Sequence, residues 1–438
     1  MTTSLLTDHY ELTMVQAALA AGTADRRSVF ELFPRRLPEG RRYGVVAGVG
    51  RALDALADFR FDGDDVEFLA STGVVDDATA TWLADYRFTG DIQGYPEGEV
   101  YFPGAPLLVV EGTFAEAVIL ETLLLSIYNH DSAIASAASR MTLMAQGRPC
   151  AEMGSRRTQE ESAVAAARAA WVAGFAATSN LAAGRRWGIP TMGTAAHSFT
   201  LLHDSEEEAF RAQVASLGVD TTLLVDTYDV AKAVELAVRI TDGKLGGVRL
   251  DSGDLVTVAR EVRDQLDDLG ATDTTITVTN DLDEWQIAAL SGAPIDAYGV
   301  GTNLVTGSGH PTCGFVYKLV SRADAHDPTT LVPVAKKSKN KSTVGGRKFA
   351  LRRLDDRGIA EAEVIGVGNP PSGDDNDRPL LVDLVRDGEI VGAEPLADAR
   401  ARHERARAEL PAAARRMSRG EPAIPTIYFE GGREFDPS

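Results

Sequence analysis

The sequence predicts an α/β protein: an irregular TIM-like α/β barrel inserted in an α+β accessory domain built from both chain ends. Two observations predict it. From residue 149 onward, short apolar runs of β-type residues end in polar or glycine residues and are followed by helical stretches, which is the pattern of parallel strands joined by helical crossovers. The flanking segments lack that rhythm and mix isolated strands, helices and loops. A doubly wound sheet would also satisfy the alternation. The polar or glycine cluster after nearly every strand favours a barrel whose C-terminal rim carries the chemistry. The expected division is 1–115 for the first part of the accessory domain, 116–314 for the barrel, and 315–438 for the return to the accessory domain with a C-terminal helix and tail.

In chain order, residues 11–21 read as a short helix and 28–33 as a strand, followed by a Gly/Arg loop, helical stretches and a strand at 106–110. Residues 116–144 are rich in Ala, Leu and Ser without Gly or Pro, which favours one or two buried helices. Barrel strands are expected at 150–153, 189–192, 222–225, 247–250, 275–279 and 295–300. Helices fit between them at 231–240, 255–269 with Gly270 as a stop, and 283–290 with Gly292 as a stop. Beyond residue 314 come a strand at 314–320, a basic hairpin candidate around Val344-Gly345-Gly346, a strand at 380–385, a polar helix at 396–409 and a Pro-rich tail.

The 438 residues carry 44 Lys and Arg against 64 Asp and Glu, a formal net charge of -20. Nucleic-acid binding is disfavoured, because phosphate-backbone affinity needs a basic face and no basic aromatic stripe interrupts the acidic surface. No hydrophobic run approaches the ~18 residues of a membrane span. The N-terminus has no basic leader followed by an apolar core, so a cytoplasmic location is expected. Cys150 and Cys313 stand far apart and form neither a disulfide framework nor a metal-ligand pair. Basic residues nevertheless concentrate at Arg35-Arg36, Arg41-Arg42, Arg156-Arg157 and from Lys336 to Lys348. Local basic spots on an acidic chain point to small anionic ligands.

A barrel rim built from these strands would collect Glu152, Gly154, Ser155, Arg156, Arg157, Thr178, Ser179, Asn180, His197, Asp226, Arg249, Asp251, Asp254, Asn280, Asp281, Gly299 and Gly301. Arginines suit phosphate or carboxylate, carboxylates suit a hard cation or sugar hydroxyls, and glycines let the backbone approach phosphate. A nucleophile elbow, a Walker-A loop and a G-x-G-x-x-G fingerprint are all missing. Each feature has a structural alternative. Arg156 and Arg157 read equally as a solvated helix start, although two arginines there would oppose the helix dipole. His197 taken alone reads as a core histidine, Asp226, Asp251 and Asp254 as helix caps, Tyr10 as packing, and Lys336 to Lys348 as a solvated loop.

Together these segments resemble the nicotinate phosphoribosyltransferase family, with its type II phosphoribosyltransferase fold. The resemblance is carried by LLTDHYELTM at 5–14, FELFPRRLP at 30–38, EMGSRR at 152–157, TSNLAAG at 178–184, GTAAHSF at 193–199, VRLDSGDL at 248–255, NDLDE at 280–284 and YGVGTNL at 298–304. It implies an enzyme of NAD salvage that joins nicotinate to phosphoribosyl pyrophosphate, releases pyrophosphate, and couples the reaction to ATP hydrolysis, with Mg2+ at the phosphates. By motif position it implies that His197 is phosphorylated from ATP and that Arg156 and Asp251 act at the reacting centre. It assigns Tyr10, Met153, Arg157, Ser179, Asn180, Arg249, Ser252, Gly253, Asp254, Asn280, Asp281, Gly299, Gly301 and Thr302 to substrate binding. Tyr10 would stack on the pyridine in a neighbouring subunit, giving a homodimer with shared active sites. No metal ligand is fixed by sequence; Asp251 and Asp281 are the candidates.

Substrate choice turns on Ser179. The related nicotinamide-using family has an aspartate there, which would repel a carboxylate by on the order of several kcal/mol at ~4 Å, whereas a serine hydroxyl can donate to it. Met153 departs from the aromatic of that family, and a thioether still packs on a ring. The rivals are a nicotinamide phosphoribosyltransferase, a quinolinate-using relative, and a non-catalytic ligand sensor. The sensor is opposed by the retention of His197 and of Asp251 to Asp254.

Overall fold

Runs of two to four residues, mostly small, β-branched or aliphatic, become the parallel strands of one unit, where both sheet faces are covered. The computed structural model describes residues 2–336 and 343–436, and the chain divides into two units: residues 137–311, and residues 1–136 with 312–438.

In the first of these, strands Cys150–Glu152, Ala177–Thr178, Thr222–Leu224, Gly247–Leu250, Thr275–Val278 and Ala297–Val300 run parallel, and their spatial order follows the chain. The last strand pairs with the first, Tyr298 opposite Cys150 and Val300 opposite Glu152. A doubly wound sheet has no such last-on-first pairing, so this unit is the expected α/β barrel. It is irregular. The strand expected at 189–192 is reduced to a single parallel bridge from Thr191 to Thr178, beside Pro190, which has no N–H to offer a ladder. Among the described residues no ladder joins Thr191 to the Thr222–Leu224 strand. The strand Ala177–Thr178 went unpredicted; two residues are too short for any period to register.

The crossover helices bury one stripe and are capped where the sequence offers a short polar residue. Val230–Ile240 buries Ala233, Val234, Ala237 and Val238 and is capped by Asp229; Leu255–Asp268 is capped by Asp254. Asp283 and Gln286 form a reciprocal capping box on Glu284–Ala289.

The other unit holds a seven-stranded sheet in which Arg27–Pro34 lies antiparallel between Leu108–Thr113 and Phe315–Ala323. Its five-stranded sheet contains Lys348–Leu354, Ala360–Val367 and Thr426–Glu430. The unit division falls at 136/137 and 311/312 rather than at the expected 115/116 and 314/315. The reason is packing: Leu120, Leu123, Leu124 and Ile127 belong to the apolar core that also holds Leu32, Val110 and Tyr317. Residues 114–144 form two helices, Phe114–Val118 and Glu121–Met144.

Two expectations for the C-terminal part need correction. The hairpin turn is at Asp355–Gly358, between Lys348–Leu354 and Ala360–Val367, not at Val344–Gly346. Lys348 is no solvated loop residue: it is buried and its Nζ lies 2.6 Å from the buried Glu31 carboxylate. Residues 337–342 of the basic stretch lie outside the described residues. Among the described residues no helix is long and apolar enough to cross a membrane.

Candidate active site

The C-terminal strand ends of the barrel unit carry two adjoining cavities. One, of about 280 Å3, is lined by Met153, Ser155, Arg156, Ser179, Met192 to His197, Leu224, Arg249 and Asp251. The other, of about 130 Å3, is lined by Met153, Arg156, Arg157, Arg249, Asp251, Thr279 to Asp281, Gly299, Gly301 and Thr302. Met153, Arg156, Arg249 and Asp251 line both, so the two adjoin as one site on one rim.

Arg249 is held on every side. Its Nε donates to Thr279 Oγ1 at 3.1 Å, Nη1 to Thr194 Oγ1 at 3.3 Å and to Ala195 O at 3.4 Å, and Nη2 to Asp251 Oδ1 at 3.2 Å. Thr279 also donates to Asp251 Oδ1. A guanidinium tied this way is pre-oriented for an anionic substrate group. Strand geometry explains the pairing: Arg249 is register-paired with Thr277, so Thr279, two residues on, lies on the same face at the strand end.

Asp226 is the buried support of this arrangement. Its Oδ2 accepts from Asp251 N at 2.8 Å and from Ser252 Oγ at 2.7 Å. Its Oδ1 is buried without a hydrogen bond and lies 3.8 Å from His197 Nε2. Asp251 Oδ2 stands 4.0 Å from the same nitrogen. The other ring nitrogen, Nδ1, is 3.1 Å from Thr227 Oγ1. His197 is therefore a half-exposed rim residue facing two carboxylates, not a core histidine.

Glu152 ends the first barrel strand fully buried. Gly154 N and Thr178 Oγ1 donate to its carboxylate, and burial pushes its pKa above the ordinary range against those bonds. It fixes the Gly154–Arg156 loop and the Thr178–Ser179 step relative to one another. Ser179 N also donates to Glu152 O at 2.8 Å, which leaves the Ser179 side chain on the cavity. Gly299 has a local reason: a Cβ there would stand 2.5 Å from Thr279 Cγ2 and 2.8 Å from Met153 Sδ.

Of the residues expected at the site, His197, Asp251, Arg156, Met153, Arg157, Ser179, Arg249, Asn280, Asp281, Gly299, Gly301 and Thr302 line these cavities. Five do not. Asn180 caps helix Leu181–Trp187 and donates to Ser155 Oγ at 3.0 Å. Ser252 is bonded to Asp226, Gly253 is in a left-handed turn at φ +83°, and Asp254 caps the following helix. Tyr10 belongs to the other unit, on helix His9–Ala20, where it is exposed and its hydroxyl pKa is pushed up to about 12 by partial burial and by Glu121 and Glu11. Arg156 and Arg157 occupy a turn, with Arg157 N donating to Gly154 O. The helix starts later, at Glu160, with two glutamates in its first turn, so the arginines oppose no dipole. Sequence reasoning missed Thr194, Thr227 and Thr279 as supports. Thr279 was open to inference, as the residue that follows an alternating T-I-T-V strand on the Arg249 face.

The fold and rim define an α/β-barrel enzyme acting on anionic small molecules, with one cavity suited to a phosphate and another to a ring-sized ligand. Residues 5–129 match the family described as the nicotinate phosphoribosyltransferase N-terminal domain, and residues 149–356 match the nicotinate phosphoribosyltransferase family. The chain is 57% identical over 431 residues to nicotinate phosphoribosyltransferase pncB1 of Mycobacterium tuberculosis, covering 96% of this chain and 94% of that protein. It is 37% identical to nicotinate phosphoribosyltransferase of Bacillus subtilis, over 80% of this chain and 73% of that one. Its fold is similar to the crystal structure of human nicotinic acid phosphoribosyltransferase, with a TM-score of 0.81, 27% identity and 97% of each chain covered. The chain belongs to the nicotinate phosphoribosyltransferase family, transferases of NAD biosynthesis.

Proposed function

We propose that this chain makes nicotinate mononucleotide and pyrophosphate from nicotinate and phosphoribosyl pyrophosphate, in the cytoplasm, and couples the reaction to ATP hydrolysis through phosphorylated His197. The observation that carries the reading is the site in which Arg156, Arg249 and Asp251 line both a phosphate-sized cavity and an adjoining one lined by Ser179 and His197.

The pyridine nitrogen of nicotinate has a free lone pair in its ring plane, so its attack on the anomeric carbon needs no general base. The new C–N bond forms as the bond from that carbon to the pyrophosphate oxygen breaks, and the electron pair leaves with pyrophosphate. The protein's part is positioning and charge stabilisation. Arg156 and Arg249 face the anionic groups, the Asp251 carboxylate faces positive charge developing on the ribose, and Ser179 Oγ is free to donate to the nicotinate carboxylate. The backbone at Gly299 and Gly301, with Arg157, Asn280, Asp281 and Thr302, suits the terminal phosphate.

Magnesium fits this site as a partner of the substrate's phosphates. Among the described residues no group of three or more His, Cys, Asp and Glu side chains could hold an ion by itself, and one or two carboxylates plus substrate oxygens are an ordinary magnesium environment. Asp251 and Asp281 would supply those carboxylates, and an ion held there with the substrate's phosphates would add positive charge beside the leaving pyrophosphate.

For ATP coupling, the His197 tautomer with its proton on Nδ1, 3.1 Å from Thr227 Oγ1, is the reactive one, since it leaves the Nε2 lone pair as the nucleophile. It attacks the γ-phosphorus of ATP, the bond to the ADP oxygen breaks, and Asp226 and Asp251 lie close enough to orient the ring and balance its charge. A homodimer is supported by the exposed Leu5, Leu6 and Tyr10 near the N-terminus, which suit a second copy of the chain and would bring Tyr10 to a partner's pyridine.

The test is product formation from nicotinate or nicotinamide with phosphoribosyl pyrophosphate and Mg2+, each with and without ATP. Mononucleotide from nicotinate, stimulated by ATP, is expected. Product mainly from nicotinamide would overturn the reading of Ser179, and no product from either would leave a ligand sensor.

A further inference from the structure

In the lining of the phosphate-sized cavity two consecutive non-glycine residues, Asn280 at φ +97° and Asp281 at φ +38°, take the left-handed conformation. Each such residue costs on the order of 1–3 kcal/mol and persists only where its surroundings hold it. One side chain does the holding. Asn303 Nδ2 donates to Asp281 O at 2.7 Å and to Leu282 O at 3.4 Å. Because both neighbours are carbonyl acceptors, the amide must present its NH2 group to them, so its orientation is settled by chemistry.

Asn303 sits in the short helix Thr302–Val305, directly after Gly301 and Thr302. Its own carbonyl accepts from Ser308 N at 2.6 Å, which locks the turn that follows. The two walls of the cavity, Asn280–Asp281 on one side and Gly299 to Thr302 on the other, are thus tied by one amide that does not itself line it. With the tie in place, the backbone of the left-handed pair is fixed before any ligand arrives, which is the condition for tight anion binding by a loop.

We propose that Asn303 is a positioning residue that sets the width of the cavity for the sugar-phosphate end of phosphoribosyl pyrophosphate. This rests on the function proposed above. Asn303 touches no reacting atom, so it acts through Asp281 and Leu282 on affinity and leaves bond-making to the residues of the adjoining cavity.

The variants are Asn303→Leu, which keeps the branched shape and removes both hydrogen bonds, and Asn303→Ala, which removes the whole amide. Each is compared with the wild type for phosphoribosyl pyrophosphate binding with Mg2+ by calorimetry, for both Michaelis constants, for kcat and for melting temperature. The expected result is a rise of about tenfold in the dissociation constant and KM for phosphoribosyl pyrophosphate, the loss of roughly one to two neutral hydrogen bonds. The KM for nicotinate should change less than twofold and kcat less than threefold. A wild type that binds phosphoribosyl pyrophosphate while both variants bind it equally well overturns the role of Asn303. Variants that melt far below the wild type, or lose kcat with unchanged KM, make Asn303 a folding residue and overturn it also. A wild type that binds no phosphoribosyl pyrophosphate removes the functional reading itself, and the proposal with it.

Discussion

Replacing Gly299 by Ala should damage the site through Thr279. The new Cβ would stand 2.5 Å from Thr279 Cγ2 and 2.8 Å from Met153 Sδ. A normal carbon–carbon contact lies near ~3.6 Å, so the threonine methyl must retreat by about 1 Å. The Met153 thioether can swing aside on its flexible chain. The threonine cannot move alone, because its Oγ1 accepts from Arg249 Nε at 3.1 Å and donates to Asp251. Hydrogen bonds to charged groups contribute about 1.5–3 kcal/mol each, and here two are weakened rather than abolished. A loss of about 2–3 kcal/mol in transition-state stabilisation follows, which is a fall of roughly 30- to 150-fold in kcat/KM. Folding stability should drop by about 1–3 kcal/mol, as for other overpacked sites. The structure also supplies the rescue: Thr279→Ser keeps both hydrogen bonds and deletes the obstructing methyl. Steady-state kinetics on Gly299→Ala, Thr279→Ser and the double variant, with thermal melts, decide the matter. A folded Gly299→Ala with kcat/KM within threefold of the wild type would show that Thr279 does not transmit the clash, as would a double variant no better than Gly299→Ala.

Three further outcomes are expected. Ser179→Asp should set a carboxylate against that of nicotinate; two charges ~4 Å apart at an effective ε near 20 repel by about 4 kcal/mol, which solvent in the open cavity reduces to about 2 kcal/mol, or roughly 30-fold in KM. An unchanged KM for nicotinate in Ser179→Asp would contradict that. The buried His403 is held neutral, its pKa driven down to about 3 by loss of hydration and by Arg407, while Nδ1 donates to Gly98 O at 3.2 Å. As pH falls from about 6.5 to 5 the unfolded chain takes up this proton and the folded chain does not, so stability should fall by about 2 kcal/mol on this account. Denaturant melts at the two pH values should show a smaller fall in His403→Gln, and equal slopes would count against it. Finally, Lys348→Met strands the buried Glu31 carboxylate, whose pKa burial already raises; a cost of about 3–5 kcal/mol is expected near neutral pH. That cost should shrink on acidification, since a raised folded pKa lends stability below the unfolded value and loses it as pH rises. Urea melts that show the same deficit at pH 5 and pH 8 would contradict this.

The barrel was legible because its strands are apolar runs closed by polar residues, and four of the six expected strand positions, 150–153, 222–225, 247–250 and 275–279, reappear within about a residue at each end. The strand expected at 295–300 starts two residues late, at Ala297. Ala177–Thr178 was not legible as a strand, being too short for a period, and the strand expected at 189–192 was read too long: beside a proline it is cut to the Thr191 bridge. The site residues that bear charge on the rim were visible as types, and the sequence order alone brought Arg249, Asp251 and His197 into view. What holds them was harder to see. Asp226 stood among the rim residues and read as a cap, yet it acts across strands, accepting from Asp251 and Ser252. Thr194 and Thr227 sit in loops without any period, and a hydroxyl's role there depends on a contact 30 or more residues away. The Lys348 reading failed for the same reason. Its partner, Glu31, is more than 300 residues distant.

The most direct measurement is to incubate the protein with γ-labelled ATP, isolate it, and follow the label. Acid-labile, alkali-stable label is expected on His197, absent in His197→Ala, and released as inorganic phosphate faster once nicotinate and phosphoribosyl pyrophosphate are added together. Label that persists in His197→Ala, or that leaves at the same rate without the two substrates, would contradict the assignment of this rim as the place where ATP hydrolysis and phosphoribosyl transfer are joined.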